Sequence, residues 1–219
     1  MNKEKTVWMS TAPQDATLIK GFTNAEIEAE VEAAGQVGSD PADRVFIDAM
    51  DRDRAGEPLP EIRFPRKLYV KKSRKNYNGL PDFFLGGGFW IVSAPFAEVL
   101  NQSNLGKSSL YPVNLFKRNQ KTPFEGEYFI LNFGETMTAF EPDQTPNVKV
   151  YGGVKSRPPG RWTIPFGSEV AIKKAALEGP DLWLDPSVPS TFFLSDDLVQ
   201  ALKKAKLTRE LSLKRCRIV

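Results

Sequence analysis

The chain has 219 residues, a hydrophobic fraction of 41% and a formal net charge of +3, so it has enough apolar material for a sizeable core. It has no histidine and one cysteine, Cys216, which excludes His-dependent catalytic triads, Cys/His dyads, ordinary zinc sites and an intramolecular disulfide. We therefore expect a protein that is not an enzyme and that carries neither a metal nor a cofactor.

The N-terminal part of the sequence predicts few regular elements. Val7–Ser10 is typical of a short strand. A capping box at Thr23–Glu26 predicts a helix over about 24–34. The polar stretch 36–60 predicts an irregular connection, with one short buried element at Val45–Ile47.

From Phe64 onward, short apolar runs separated by turn residues predict strands. They lie at 68–72, 83–85, 89–92, 111–116, 127–133, 170–172, 182–184, 191–194 and 211–218. Helices at 94–101 and 196–206 each follow a serine, which is a favoured N-cap residue. Pro112 predicts a sheet edge or a strand start, because proline has no amide hydrogen to donate. The Pro/Gly-rich stretch 143–165 predicts a long loop or a pair of short strands.

Together these elements predict one α+β domain with a mostly antiparallel or mixed sheet and a few flanking helices. Residues 1–62 are predicted to form an N-terminal appendage, and residues 63–219 the α+β domain. The sequence has no apolar run of the ~18 to 20 residues that a membrane helix needs, and its N-terminus lacks the apolar core of a secretion signal. We expect a cytoplasmic protein with no membrane partner.

Two segments of the chain resemble each other. Phe89–Ser93 and Phe192–Ser195 are each an apolar run that ends in serine, and each precedes a helix with apolar residues at helical spacing. One interpretation is that strand-to-helix turns simply favour serine. The other is that the two segments form structurally equivalent units of one sheet.

Several short motifs fail on their context. Gly106–Ser108 looks like the end of a phosphate-binding loop but follows a helix, and Gly86–Gly88 leads into a second strand, which indicates a tight connection. Asp196 and Asp197 stand in a first helical turn, where the helix dipole favours negative charge. An enzyme that uses carboxylates or a serine remains an alternative. A deep pocket with strongly shifted Asp, Glu or Lys pKa values would support it.

The charges are unevenly distributed. Segments 63–75 and 203–217 are basic, whereas residues 26–57 are acidic. These segments are either solvated faces or a recognition surface for an acidic partner or for nucleic acid, with Phe64, Tyr69 and Tyr77 as stacking candidates. The candidate partner-binding residues are Lys71, Lys72, Arg74, Lys75 and Tyr77.

A series of motifs across about 64–207 resembles, in order and spacing, the immunity protein families of bacterial polymorphic toxin systems. The motifs are Asp82–Leu85, Trp90–Ser93 with Phe96 and Leu100, Tyr111–Val113, Gly126–Asn132, Leu182–Trp183, and Phe192–Ser195 with Leu198 and Leu202. The resemblance implies a non-catalytic protein that neutralises a cognate toxin by direct binding. The net charge of +3 departs from the acidic character of many such inhibitors and argues against a nucleic-acid mimic.

Overall fold

The structure, a computed structural model, describes residues 5–24, 41–75, 77–150, 161–165 and 167–219, with residues 41–44 described by their backbone alone. In these ranges the helices are α1 (Pro41–Arg54), α2 (Ala94–Asn101) and α3 (Asp196–Lys204). The strands are β1 (Val7–Ser10), β2 (Ile19–Lys20), β3 (Phe22–Thr23), β4 (Lys67–Val70), β5 (Phe83–Gly86), β6 (Phe89–Ser93), β7 (Ser109–Phe116), β8 (Tyr128–Asn132), β9 (Lys149–Val150), β10 (Trp162–Thr163), β11 (Ala171–Ile172), β12 (Leu182–Trp183), β13 (Phe192–Ser195), β14 (Leu213–Arg215) and β15 (Arg217–Ile218). The predicted α+β class is confirmed. The helix predicted over 24–34 falls mostly outside the described residues.

The largest sheet closes on itself. Its strand order is β2-β5-β6-β8-β7-β4-β3, and its two edge strands are consecutive in the chain, separated by Gly21. Ile19 pairs with Leu85 at one edge, and Phe22 pairs with Val70 at the other. The segment Ile19–Thr23 thus pairs with both β5 and β4 and closes the sheet into a barrel. Apolar side chains such as Ile91 fill its interior.

Helix α1 corrects the prediction of an irregular connection. Ala49 is buried, and the ring of Phe46 meets that of Phe89 edge-on at 5.4 Å, so the helix packs on the barrel core. Pro41 stands at the helix start, where its missing amide hydrogen costs nothing. Of the buried element predicted at Val45–Ile47, Phe46 packs against the core, whereas Val45 is 51% exposed. The many charges of the segment masked its helical spacing of apolar residues.

A second, four-stranded sheet has the order β12-β13-β1-β14 and is antiparallel throughout. Two short pairs complete the described strands, β9 with β10 and β11 with β15. The first pair agrees with the second of the two alternatives predicted for 143–165, a pair of short strands. The strand predicted over 211–218 is divided at Cys216, because β15 leaves the sheet of β14 and pairs with β11.

Strand β7 is interior, which corrects the expectation that Pro112 marks an edge or a strand start. Pro112 pairs with Phe129 on the β8 side. On the other side β4 contacts β7 only from Asn114 onward. The missing amide of Pro112 therefore interrupts no hydrogen bond with β4, which is how the sheet accommodates proline.

The two similar sequence segments are structurally equivalent. The first repeat has the strand order β5-β6-β8-β7 and contains helix α2. The second repeat has the order β12-β13-β1-β14 and contains helix α3. In each repeat the helix follows the second strand of that order. The Ser93 hydroxyl donates to Asp82 Oδ1 at 2.5 Å, and the Ser195 hydroxyl donates to Asp181 Oδ1 at 2.5 Å. Serine preference alone does not explain this match.

The repeats belong to two sheets, which corrects the expectation of one. Their helices α2 and α3 pack together, and Phe83, Val92, Phe192 and Leu194 share one core cluster between the sheets. The division into an appendage, 1–62, and a main domain, 63–219, stays a prediction. Strands from residues 7–23 contribute to both sheets.

Candidate functional site

The five candidate partner-binding residues lie on the loop that connects β4 to β5. Lys71, Lys72, Arg74 and Lys75 are exposed, whereas Tyr77 is half-buried. The loop therefore presents a run of cations beside one aromatic ring.

Backbone contacts hold this loop against the point where β2 and β3 meet. The Lys71 amide donates to the Gly21 carbonyl at 2.8 Å, and the Gly21 amide donates to the Tyr77 hydroxyl oxygen at 2.7 Å. A Cβ on Gly21 would lie 2.7 Å from Arg74 Cγ, so the stem of Arg74 rests on the glycine backbone. The absence of a side chain at Gly21 permits this close approach of the Arg74 stem.

Two residues that sequence reasoning missed complete this region. Lys20 Nζ lies 5.8 Å from the centroid of the Tyr77 ring, and Ile19 is 58% exposed beside it in the chain. No local signal connected them to a loop fifty residues away, since only the pairing of Gly21 with the loop brings them there. We call this region the basic surface; its members are Ile19, Lys20, Lys71, Lys72, Arg74, Lys75 and Tyr77.

Three cations of the basic surface, Lys71, Arg74 and Lys75, differ from Arg52 and Arg63 in their pairing. Arg52 and Arg63 each form ion pairs with carboxylates. Among the described residues, no carboxylate lies within 4 Å of the charged ends of Lys71, Arg74 or Lys75. Their positive field is therefore open to a partner.

The second basic segment is partly used within the molecule. Lys203 Nζ lies 4.1 Å from the ring centroid of Trp8, and Arg217 binds Glu169 at 3.0 Å and the Gln144 carbonyl at 2.7 Å. These contacts give part of the segment a structural role.

A cleft of about 640 Å³ opens between the two repeats. Leu85 and Trp90 line it from the first repeat, and Leu184 and Phe192 line it from the second. Leu85 and Leu184 each stand three residues after the serine-bound aspartate, so equivalent positions of the repeats face the same space. The last turn of α1 forms a further wall through Asp53.

Asp53 is the cleft residue whose pKa is displaced. It is 2% exposed, and burial raises its pKa from 3.8 to about 6, opposed by the hydrogen bond that Asn132 Nδ2 donates to Oδ1 at 2.6 Å. Asn132 also accepts from the Leu59 amide at 2.9 Å and donates to the Glu57 carbonyl at 3.0 Å. The side chain that bonds Asp53 is thus an amide, which does not titrate. The same hydrogen bonds connect α1 to β8.

Other chemical groups give little support for catalysis. Burial raises the pKa of the Cys216 thiol to about 12, which keeps it protonated and unreactive at neutral pH. In the described ranges, no group of three or more cysteine or acidic side chains is placed to hold a metal ion. No helix in that part of the chain is long and apolar enough to cross a membrane.

A protein-family model, the immunity protein family Imm11, matches residues 23–211. The chain belongs to the Imm11 immunity protein family. This membership confirms the resemblance seen in the sequence. The matched range contains the hairpins β5–β6 and β12–β13, the helices α2 and α3, and most of the basic surface. Curated proteins gave no match. The Imm11 range begins after β1, although β1 lies inside the second sheet.

Proposed function

We propose that this Imm11 chain neutralises a cognate bacterial toxin by binding it directly, in the cytoplasm of a bacterium that carries a polymorphic toxin system, and that it catalyses no reaction. The family match over residues 23–211 carries this proposal. The missing histidines and the buried Cys216 thiol support a binding role over chemistry.

The basic surface is the proposed contact region. Arginine and tyrosine contribute disproportionately to binding energy at protein interfaces. The Tyr77 hydroxyl is held before binding by the hydrogen bond from the Gly21 amide, which lowers the entropy lost on association. The lysines and Arg74 favour an acidic partner surface and would accelerate its association.

The proposal is tested with the toxin encoded by the neighbouring gene. Lys71, Arg74 and Lys75 are replaced together by glutamate, because reversing three unpaired charges should turn attraction into repulsion. We expect the affinity measured by titration calorimetry to fall at least a hundredfold, and co-expression to stop rescuing growth. The matched control replaces Lys204, Lys206 and Arg209, which are also exposed, by glutamate and should retain the affinity within about threefold.

Failure of the wild-type chain to bind this toxin or to rescue growth would remove the proposal. The same cations favour nucleic-acid binding as a second function. Wild-type protein that binds an anionic polymer without the toxin, with an affinity that falls steeply as salt is added, would support that alternative.

A further inference from the structure

The correspondence between the two repeats extends to the segments that cross between the edges of their sheets. Segment 19–23 closes the first sheet by pairing in parallel with β5 and antiparallel with β4. In the second repeat, Thr136 forms a parallel bridge with Leu184, which directly follows β12. Four residues later, Phe140 forms an antiparallel bridge with Ile172 of β11. Each repeat therefore has a crossing segment with the same two partners.

The loop of the basic surface also has a counterpart in the second repeat. Lys71 directly follows β4, and its amide donates to the Gly21 carbonyl at 2.8 Å. Lys173 directly follows β11, and its amide donates to the Ala139 carbonyl at 2.9 Å. Each loop begins with two adjacent lysines and ends at the aspartate that accepts from the serine hydroxyl of its repeat. The loops are thus equivalent, and a feature found in only one of them is not required by the fold.

The first loop is longer and more basic than its counterpart. It spans eleven residues, 71–81, with four cations and no carboxylate, whereas the second spans eight, 173–180, with two cations and the carboxylate of Glu178. In the second loop Ala176 is buried, and Leu177 packs against the core of its sheet. The second loop therefore lies against its own repeat, whereas the cations of the first loop are exposed.

A carboxylate pairs with the second loop and has no equivalent beside the first. Lys173 Nζ lies 3.5 Å from Glu141 Oε1, and Glu141 directly follows the bridging phenylalanine of its crossing segment. The residue in the same place of the first crossing segment is Thr23, which carries no charge. Among the described residues no carboxylate lies within 4 Å of Lys71 Nζ. The fold thus accepts an acidic residue at this place, and the first repeat has none.

We propose that the loop of the basic surface determines specificity: it binds an acidic face of the toxin, its counterpart in the second repeat does not, and each chain binds one toxin molecule. This inference rests on the proposed function and assigns the contact to one repeat. A requirement of the fold would place Arg74 and Lys75 in both loops, but only the first loop has such cations. They attract an acidic surface and repel a basic one, which is how charge selects a partner.

Two double variants compare the equivalent loops directly. Arg74→Gln with Lys75→Gln removes two adjacent exposed cations from the first loop, and Lys173→Gln with Lys174→Gln removes two from the second. Titration calorimetry with the toxin encoded by the neighbouring gene measures affinity and stoichiometry. We expect one toxin per chain, an affinity about tenfold weaker for the first variant, and an affinity within about twofold of wild type for the second.

A second pair of variants copies the charge of the second repeat onto the first. Thr23→Glu introduces a carboxylate at the position equivalent to Glu141, and Thr23→Gln is its uncharged control of the same size. Thermal melting followed by circular dichroism verifies that both variants fold. The glutamate variant should bind the toxin about fivefold more weakly than the glutamine variant, and added salt should reduce this difference. If either variant fails to fold, the double variants at exposed positions decide.

Several outcomes would overturn this inference while the proposed function stands. They are two toxin molecules bound per chain, equal weakening by the two double variants, and wild-type affinity in the variant with Arg74→Gln and Lys75→Gln. Equal affinities of folded Thr23→Glu and Thr23→Gln variants would also count against it. Absence of toxin binding by the wild-type chain would overturn both the inference and the proposed function.

Discussion

Among single residues, Asn132 holds Asp53, which lines the cleft, in place. Asn132 has no exposed surface. Its side-chain amide donates to Asp53 and to the Glu57 carbonyl and accepts from the Leu59 amide. An asparagine suits this position because its oxygen accepts while its nitrogen donates twice. Burial of a carboxylate beside it disfavours the charged form, which is why the pKa of Asp53 is raised to about 6.

The raised pKa of Asp53 predicts a specific pH dependence of stability. Between pH 4 and 6 the folded chain binds more protons at Asp53 than the unfolded chain does, so this group's contribution to the free energy of unfolding falls as pH rises through that window. Asp53→Asn stays neutral throughout. Relative to wild type, the variant should gain about 2 kcal/mol between pH 4.0 and pH 7.5.

Urea unfolding of both proteins at the two pH values measures this gain, and taking the difference cancels the other titrating groups. An Asp53→Asn variant whose stability relative to wild type is the same at both pH values would show that Asp53 is ionised without penalty. In that case an enzymatic role for this carboxylate would lose its main support.

At the scale of elements, the two repeats use their serines differently. Ser195 caps α3, since its hydroxyl oxygen accepts from the Leu198 amide at 3.1 Å while it donates to Asp181. Ser93 precedes α2 and bonds Asp82, but it makes no side-chain cap bond. Pro95 in the first turn of α2 removes one of the amide donors that such a cap satisfies.

The two serines therefore predict unequal losses. Ser195→Ala removes a cap bond and a bond to aspartate and should lower the free energy of unfolding by about 2 kcal/mol. Ser93→Ala removes only the bond to aspartate and should lower it by about 1 kcal/mol. Parallel urea titrations at one pH compare them. Equal losses would mean that the Leu198 contact contributes nothing to the stability of α3.

At the scale of the whole molecule, the chain order and the repeats do not coincide. The first repeat takes its β8 strand from within the repeat, whereas the second takes the equivalent strand, β1, from the N-terminus. Met9 in β1 is fully buried, and β1 pairs with both β13 and β14. The second sheet thus depends on residues that precede the matched range of the family.

Deletion of residues 1–10 should consequently disrupt the fold. Without β1, β13 and β14 lose their shared neighbour and the buried surface around Met9 is exposed. We expect the cooperative thermal transition followed by near-ultraviolet circular dichroism to disappear. Lys5→Ala, which removes only the exposed pair with Asp197, is the control and should melt as wild type does. A truncated chain that still melts cooperatively would show that the N-terminal strand is dispensable.

Many strands and helices in the second half of the chain were predicted correctly from local sequence patterns. The elements that were missed have physical explanations. β13 and its serine-capped helix were predicted because strand period, cap and helix period are each readable over a few residues. α1 was missed because its charged residues outnumber the few apolar ones that face the barrel. For the candidate site, the loop of Lys71 to Tyr77 was identified from composition, but Ile19 and the cleft were not, since they depend on the pairing of distant strands.

The sequence alone determined the fold class, the resemblance to immunity proteins, the absence of histidine chemistry and the positions of most strands. These properties depend on composition and on periods that the backbone imposes locally. Only the tertiary structure decided that the sheet of the first repeat closes and that the second repeat includes β1 from the N-terminus. It also decided that a cleft forms between the hairpins β5–β6 and β12–β13. Those outcomes depend on which distant segments bury one another best, and no local pattern in a single chain contains that information.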